Sequence, residues 1–265
     1  MTPDRYLARW NLVADGEPVS TPSSLLLPVR RGAELALLKI PREEEERRGG
    51  RVMVWWDGDG AARVLAHDDH ALLLERATGP RTLAAMVAAG NDDEASRILC
   101  AVAARLHAPR RGPLPDLVPL SRWFEALAPV ARAQGGILAE ADAAAKKLLA
   151  SSRNVVVLHG DIHHGNVLDA GNRGWLAIDP KGLLGERAFD FVNILRNPDA
   201  VTALTPGRFQ RQVDVLAAAA SLDRHRLLGW TLAIAGLSAS WHLADGEPAD
   251  LDLAVARLAA AAVGA

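Results

Sequence analysis

Only one of the 265 residues is a cysteine, Cys100, so no internal disulfide can form and the fold must rest on packing and hydrogen bonding. Cys100 lies in an apolar run, where a buried structural thiol in a reducing cytoplasm is expected. An excess of positive charge is also missing: the formal net charge is -2 and the pI about 6.4. No basic field exists for a polyanion to follow, which argues against nucleic acid as a partner and leaves small molecules as the expected ligands. No apolar run reaches the roughly 18 to 20 residues of a membrane helix. The N-terminus, Met1-Thr2-Pro3-Asp4-Arg5, has no apolar signal core. The expectation is a cytoplasmic protein with no membrane association and no obligatory protein partner. Internal repeats and long disordered linkers are absent as well. What the chain does have is 49% hydrophobic residues, enough to bury the core of one large or two modest domains.

The first third reads as strands joined by turns. Apolar, β-favouring runs at Arg9–Val13, Ser24–Val29 and Leu35–Ile40 are separated by Asp-Gly, Thr-Pro and Arg-Gly punctuation. Pro41 is placed to open a helix in which Glu43 to Glu46 suit the positive end of the dipole and which Asp57-Gly58 ends. Two more strands, Arg63–Ala66 and Ala71–Glu75, close a small antiparallel sheet. After Gly79-Pro80 the chain turns alanine-rich, with helical periodicity at Leu83–Ala89, Glu94–His107, Leu120–Ala133, Ile137–Ala150, Ala188–Arg196, Arg208–Ala219, Arg224–His242 and Leu251–Val263. Short strands are expected at Val155–Leu158, Asn166–Asp169 and Trp175–Ile178. The pattern predicts an α+β fold in two lobes, a small antiparallel-sheet lobe over residues 1–77 and a larger helical lobe over residues 78–265.

The most informative segment is His159-Gly160-Asp161-Ile162-His163-His164-Gly165-Asn166. Its aspartate two residues after a histidine, and its asparagine five residues further on, have the spacing of a kinase catalytic loop. In that loop the aspartate takes the proton of the acceptor hydroxyl and the asparagine holds magnesium on the nucleotide phosphates. Asp161 is therefore the candidate base and Asn166 a candidate metal ligand. Asp179 ends the following strand, thirteen residues beyond Asn166, where a hairpin would return it as the second metal ligand. The sequence there is Asp179-Pro180-Lys181-Gly182, without the phenylalanine of a kinase activation-loop switch. Lys39, at the end of the third strand, could pair with the α- and β-phosphates and with Glu46 on the next helix. Taken singly, Lys39 is an ordinary strand-end lysine and the glutamates a solvated first turn.

Other features weigh less. No glycine-rich loop covers the phosphates; Ser23 and Ser24, in the turn between the first two strands, could supply hydroxyl and amide contacts or form an ordinary polar turn. The adenine should lie against the hinge from Leu74 to Ala77, where backbone groups of Glu75 and Ala77 can read its edge. His159 and Asp190 are expected to brace the catalytic loop through hydrogen bonds. His163 and His164 raise the alternative of a zinc hydrolase, which explains neither Lys39 nor the pairing of Asn166 with Asp179. A nucleotide-binding pseudokinase is the other alternative, and the complete set of Lys39, Asp161, Asn166 and Asp179 argues against it.

With these residues in view, the chain resembles the aminoglycoside and hydroxyurea phosphotransferases, the streptomycin 6-kinases most of all, over nearly its whole length. The resemblance is carried by residues 158–168 and 173–182, by Trp55-Trp56-Asp57-Gly58 and by Gly236-Leu237-Ser238-Ala239-Ser240-Trp241. It implies a two-lobed protein-kinase-like fold, with residues 1–77 as the nucleotide-binding lobe and 78–265 as the helical lobe with the catalytic loop and substrate site. It also implies ATP and Mg2+ as cofactors and transfer of the γ-phosphate to the 6-hydroxyl of streptidine in streptomycin, a cationic aminoglycoside. It assigns the base to Asp161, the metal ligands to Asn166 and Asp179, and the sheet-lobe ion pair to Lys39 and Glu46. Gly165 departs from the family, where a glutamate is expected. A same-fold kinase for hydroxyurea or another small hydroxyl metabolite is the alternative.

A guanidinium-bearing acceptor calls for acidic groups and flat stacking surfaces. Trp241, Asp245 and Glu247 are the candidates, in a stretch from Leu227 to Ala256 that has no lysine or arginine. The competing reading is a solvated loop with Trp241 in the core.

Overall fold

A computed structural model describes residues 2–264. The chain opens with a helix, α1 (Pro3–Arg9), where a strand over Arg9–Val13 was expected. Pro3 sits in its first turn, Asp4 at its positive end and Arg9 at its negative end. Tyr6, fully buried, anchors it and packs on Trp10 at 4.9 Å. These local signals outweigh the β-favouring residues, so strand begins only at β1 (Val13–Ala14).

Next come β2 (Val19–Ser20), β3 (Ser24–Arg31), β4 (Glu34–Pro41), β5 (Val64–Asp68) and β6 (Ala71–Glu75). They form an antiparallel sheet in the order β1-β3-β4-β6-β5, with β2 also on β3. Side chains alternate between its faces. Val29, Ala36, Leu38, Ile40 and Leu73 pack with Tyr6 in a small core of their own. Leu37, Lys39 and Leu74 point the other way, into the cleft.

Helix α2 (Glu44–Trp56) starts later than expected. Pro41 does not open it; it ends β4 opposite Ser24, a strand-end position that a residue without an N–H tolerates. Glu44, Glu45 and Glu46 fill the first turn, and Asp57, at φ +51°, closes the helix in the left-handed region. At Gly49 the helix runs so close to the loop after Asp179 that an added Cβ would collide with the Pro180 carbonyl oxygen.

The rest of the chain forms the helical lobe. It begins with α3 (Leu83–Ala88) and α4 (Asp92–Leu106), and continues through β7 (Val118–Pro119) into α5 (Leu120–Trp123). The single helix expected over residues 120–133 is divided into α5, a 3-10 turn at Phe124–Ala126 and α6 (Leu127–Gln134). Pro129 cannot donate the hydrogen bond that would make the helix continuous, and the turn before it tightens. Then follow α7 (Gly136–Ala150), β8 (Val155–Leu158), the hairpin of β9 (Val167–Asp169) and β10 (Trp175–Ala177), and β11 (Leu183–Glu186). Residues Arg187–Arg196 form a 3-10 helix, not the expected α-helix. Ala188, Phe189, Phe191, Val192, Ile194 and Leu195 are buried there, while the polar Arg187, Asp190, Asn193 and Arg196 recur every three residues, the spacing of one face of a 3-10 helix.

The last helices are α8 (Ala200–Ala203), α9 (Arg208–Ala219), α10 (Arg224–Ala244) and α11 (Asp250–Val263). Contrary to the expectation from the apolar runs, α10 is long and apolar enough by length and composition to cross a membrane. Its residues from Leu227 to Ser240 are nearly all buried, however, packed against α7, α11 and the 3-10 helix. It is the central strut of this lobe. The larger core is continuous from α10 to Trp56, Leu72 and Leu74 on the cleft side of the sheet.

Candidate active site

The loop 159–166 leaves β8 and enters β9, and it is fixed by its own histidine and by Asp190. Gly160 takes φ +84°, a left-handed turn that favours glycine. The Asp190 carboxylate accepts from the backbone N–H of His159 (2.9 Å) and of Gly160 (2.7 Å), and lies 2.7 Å from His107 Nε2. His159, fully buried, accepts from the Asp161 N–H at Nδ1 and faces the Ile178 carbonyl through Nε2 at 2.7 Å. One nitrogen accepting and the other donating describes a neutral imidazole. Burial lowers its pKa accordingly. Both therefore brace the loop as expected.

Asp161 is gripped on both carboxylate oxygens. Asn193 Nδ2 donates to Oδ1 at 2.9 Å, and Asn166 Nδ2 donates to Oδ2 at 3.3 Å and to the Asp161 carbonyl at 3.0 Å. With its NH2 group so engaged, Asn166 is left with an oxygen to offer a cation. Pairing of Val167 with Ala177, and of Ile178 N–H with the Asn166 carbonyl at 2.9 Å, sets Asn166 beside Asp179. Asp179 adopts φ +59°, an uncommon conformation for a residue with a Cβ that clusters at functional sites. Amide and carboxylate oxygens are the hard donors that magnesium favours. Asp179 now receives the Lys39 ammonium at 2.8 Å, and Lys39, only 6% exposed, also pairs with Glu46. The expected β4 to α2 ion pair is thus formed.

The Ser24 hydroxyl turns inward to Glu46 Oε2 at 3.4 Å, so it buttresses that pair and does not face the turn as a phosphate contact would require. Ser23 uses its carbonyl to accept from the Arg42 N–H at 2.8 Å. Glu75 and Ala77 line a cavity of about 120 Å³ with Leu26, Leu37, Leu168 and Ile178, and Lys39 and Asp179 close one end. This apolar slot between sheet and hairpin suits a flat heterocycle. The Glu75 carboxylate itself is taken by Arg173 and Arg63, which leaves only its backbone for recognition.

Asp161 itself lines a second cavity, of about 430 Å³. Trp241 lines it, standing edge-on to Trp123 with centroids 5.3 Å apart. Asp245 and Glu247 do not line it. They follow the end of α10, where Glu247 pairs with His242 at 3.1 Å, and the acid-rich stretch is a solvated turn. The sequence did not single out Glu45, Trp123, Asn193, Arg196 and Ser238 as lining residues. Lys181 lines the cavity too. Burial works against its ammonium, but Glu45 at 2.9 Å, with Asp161 and Glu46 nearby, outweighs that and raises its pKa.

The two remaining histidines diverge. His163 accepts from the Gly165 N–H at Nδ1, and its Nε2 faces Asp161 Oδ2 at 3.7 Å. His164 points into the protein, where burial pulls its pKa down to about 4 and both ring nitrogens lack partners. Among the described residues no group of three or more His, Cys, Asp or Glu is arranged to hold a metal. The zinc reading has no geometry behind it.

A sequence model of the family described as aminoglycoside/hydroxyurea antibiotic resistance kinase matches residues 9–246. A streptomycin 3''-kinase of Klebsiella pneumoniae is 51% identical over 262 residues, spanning 96% of this chain and 98% of that protein. A streptomycin 6-kinase of Streptomyces glaucescens is 36% identical over 97% of this chain and 87% of its own length. Among solved structures, a thermostable mutant of an aminoglycoside phosphotransferase, in ternary complex with ADP and hygromycin B, superposes with a TM-score of 0.64. That match covers 97% of this chain and 94% of that one at 15% identity, a likeness of fold.

Proposed function

Because the chain belongs to the aminoglycoside/hydroxyurea antibiotic resistance kinases, we propose that it is an ATP-dependent O-phosphotransferase that inactivates streptomycin. The observation that carries this reading is that Asp161, on the wall of a wide cavity edged by Trp123 and Trp241, is bonded to Asn166, which the hairpin sets beside Asp179 at the slot that Lys39 and Asp179 line. A nucleotide in the slot and an acceptor in the wide cavity would meet at the Asp161 carboxylate. A cavity of about 430 Å³ with two indoles is larger than hydroxyurea needs, which favours an aminoglycoside.

In the proposed step Asp161 orients the acceptor hydroxyl and takes its proton. The acceptor oxygen bonds to the γ-phosphorus as the bond to the β–γ bridging oxygen breaks, and that electron pair leaves with ADP. Lys39, positioned by Glu46, would neutralise the α- and β-phosphates, and Ser23 amide contacts would cover them. The backbone of Glu75 and Ala77 would read the adenine edge. Magnesium held by Asn166 and Asp179 would supply charge neutralisation on the phosphates. Residues 1–77 would be the nucleotide-binding lobe and 78–265 the lobe that presents loop and acceptor. An enzyme of this kind would work in the cytoplasm without a protein partner.

Identity of 51% to a protein named for 3''-phosphorylation, against 36% to one named for 6-phosphorylation, favours the 3''-hydroxyl as the acceptor over the 6-hydroxyl suggested by the motifs. The test is a panel of hydroxyl acceptors with ATP and magnesium, followed by product mass and by NMR assignment of the phosphorylated carbon. A phosphate on the 3'' carbon of streptomycin is expected. A 6-phosphate would reverse the regiochemistry, and no phosphorylated aminoglycoside at all would sink the reading.

A further inference from the structure

The charge in the wide cavity is placed in an unexpected way. Its charged lining residues are Glu45, Asp161, Lys181 and Arg196. Asp161 is committed to Asn166 and Asn193. Arg196 is neutralised by Asp252, 2.7 Å away and only 3% exposed, and it donates to Ser238 Oγ at 2.8 Å. That leaves one acid and one base facing the space where an acceptor would lie, and they are bonded to each other: Lys181 Nζ to Glu45 Oε1 at 2.9 Å.

We propose that this pair is an exchangeable contact, in which a cationic acceptor takes Glu45 and thereby releases Lys181 to the phosphoryl group being transferred. The proposal rests on the acceptor-site reading of the cavity and names the residues that make the acceptor's charge matter. Glu45 and Glu46 are consecutive on α2, so their side chains diverge by about 100° around the helix. Glu46 turns to Lys39 in the nucleotide slot and Glu45 to Lys181 in the acceptor cavity. One helical turn thus meets both substrates. A guanidinium on the acceptor can engage a carboxylate in a bidentate fork that an ammonium cannot match. The pair it displaces is partly solvated, at 35% and 23% side-chain exposure, and such pairs are worth little.

Lys181 is built to move only at its tip. Its backbone N–H donates to the His159 carbonyl at 2.7 Å, which ties it to the catalytic loop. Besides Glu45, its ammonium has Glu46 at 4.0 Å, itself held by Lys39, and feels the charge of the Asp161 carboxylate, where the acceptor hydroxyl would be activated. In the transfer the acceptor oxygen gains phosphorus, the bridging oxygen of ATP loses it and the hydroxyl proton goes to Asp161. Lys181 makes and breaks no covalent bond and contributes charge alone. Recognition of a cation is thereby coupled to assembly of the catalytic charge.

The experiment compares wild type, E45Q, K181M, K181R and the double variant E45Q/K181M in steady-state phosphorylation of streptomycin, with ATP KM and thermal melting followed in parallel. E45Q should raise the streptomycin KM about tenfold or more with a smaller change in kcat. K181M should lower kcat about tenfold to a hundredfold with the streptomycin KM unchanged or reduced, since Glu45 no longer has a partner to give up. K181R, which keeps the charge, should recover most of that loss. A purely structural bridge predicts equal loss of melting temperature in both single variants, with kcat and KM moving together and no rescue by arginine; that pattern would overturn the proposal. Wild type active on streptomycin with unaffected variants overturns the exchange alone. A wild type inactive on every aminoglycoside overturns the function reading and the exchange with it.

Discussion

Asn193 holds one oxygen of Asp161 at 2.9 Å and lies on an element remote in sequence from the catalytic loop. A hydrogen bond to a charged group is worth roughly 1.5 to 3 kcal/mol, so N193A should lower kcat about tenfold to a hundredfold while leaving both KM values within a few-fold. N193D sets a second carboxylate against Asp161 and should shift the acid limb of the pH–rate profile upward; an unmoved limb would remove Asn193 from this positioning role. Cys100 offers a separate pH test. Burial pushes its thiol up to about 12 from an ordinary 9.0, so it stays protonated in the fold where the unfolded thiol ionises. The stability it lends is complete below pH 9 and falls as pH rises towards 12, by about 1.4 kcal/mol per unit. Urea titrations from pH 8 to 11 should show C100A losing less stability over that range than wild type; parallel curves would contradict the assignment. At this scale the proposed catalytic residues were legible because they fall in short fixed spacings: Asp161 with Asn166, then Asp179 after a hairpin. Asn193 was not, since nothing local marks it.

Helix α2 ties the two substrates' contacts to the loop after Asp179, and it does so through a missing side chain. Glycine to alanine within a helix ordinarily adds about 0.5 to 1 kcal/mol. At Gly49 the new methyl would meet the Pro180 carbonyl oxygen, so G49A should lower the melting temperature and raise the ATP KM as Lys39 and Glu46 shift against Asp179. A stabilised, fully active G49A would show that the close approach is not required. Reading apolar, β-favouring runs between turn signals identified β3, β4 and β6, with Lys39 towards the end of β4. It failed at α1, where Pro3 and Arg9 at the ends of a seven-residue helix were the readable signals. Helical periodicity found the segment 187–196 but not its 3-10 type, whose mark is the polar Arg187, Asp190, Asn193 and Arg196 at every third residue.

Of the contacts that join the lobes, that of Lys39 with Asp179 and that of Lys181 with Glu45 lie beside the two cavities, so ligand binding and folding stability should be linked. Saturating nucleotide at about a hundred times its Kd adds roughly 2.7 kcal/mol, which for a chain of this size corresponds to a rise of about 5 to 10 °C in Tm. A flat melting curve series with ATP and magnesium would argue against the slot as the nucleotide site. The two-lobed architecture was legible from the change of pattern after Gly79-Pro80, whereas the acceptor cavity was not. Its walls come from α2, α5, the loop 159–166, the segment after Asp179, the 3-10 helix and α10, and no single stretch of sequence carries their juxtaposition. The acid-rich turn after α10 drew attention by composition, yet the acid that joins Asp161 in lining the cavity is Glu45 on the opposite lobe. The central claim is that Asp161 delivers a phosphoryl group across this junction, and it is tested by incubating wild type and D161N with ATP labelled in its γ-phosphate, magnesium and streptomycin. Wild type should move label to the drug, and D161N should do so about 10² to 10⁴ times more slowly while binding nucleotide as before; equal labelling by both, or none by wild type, would contradict the account.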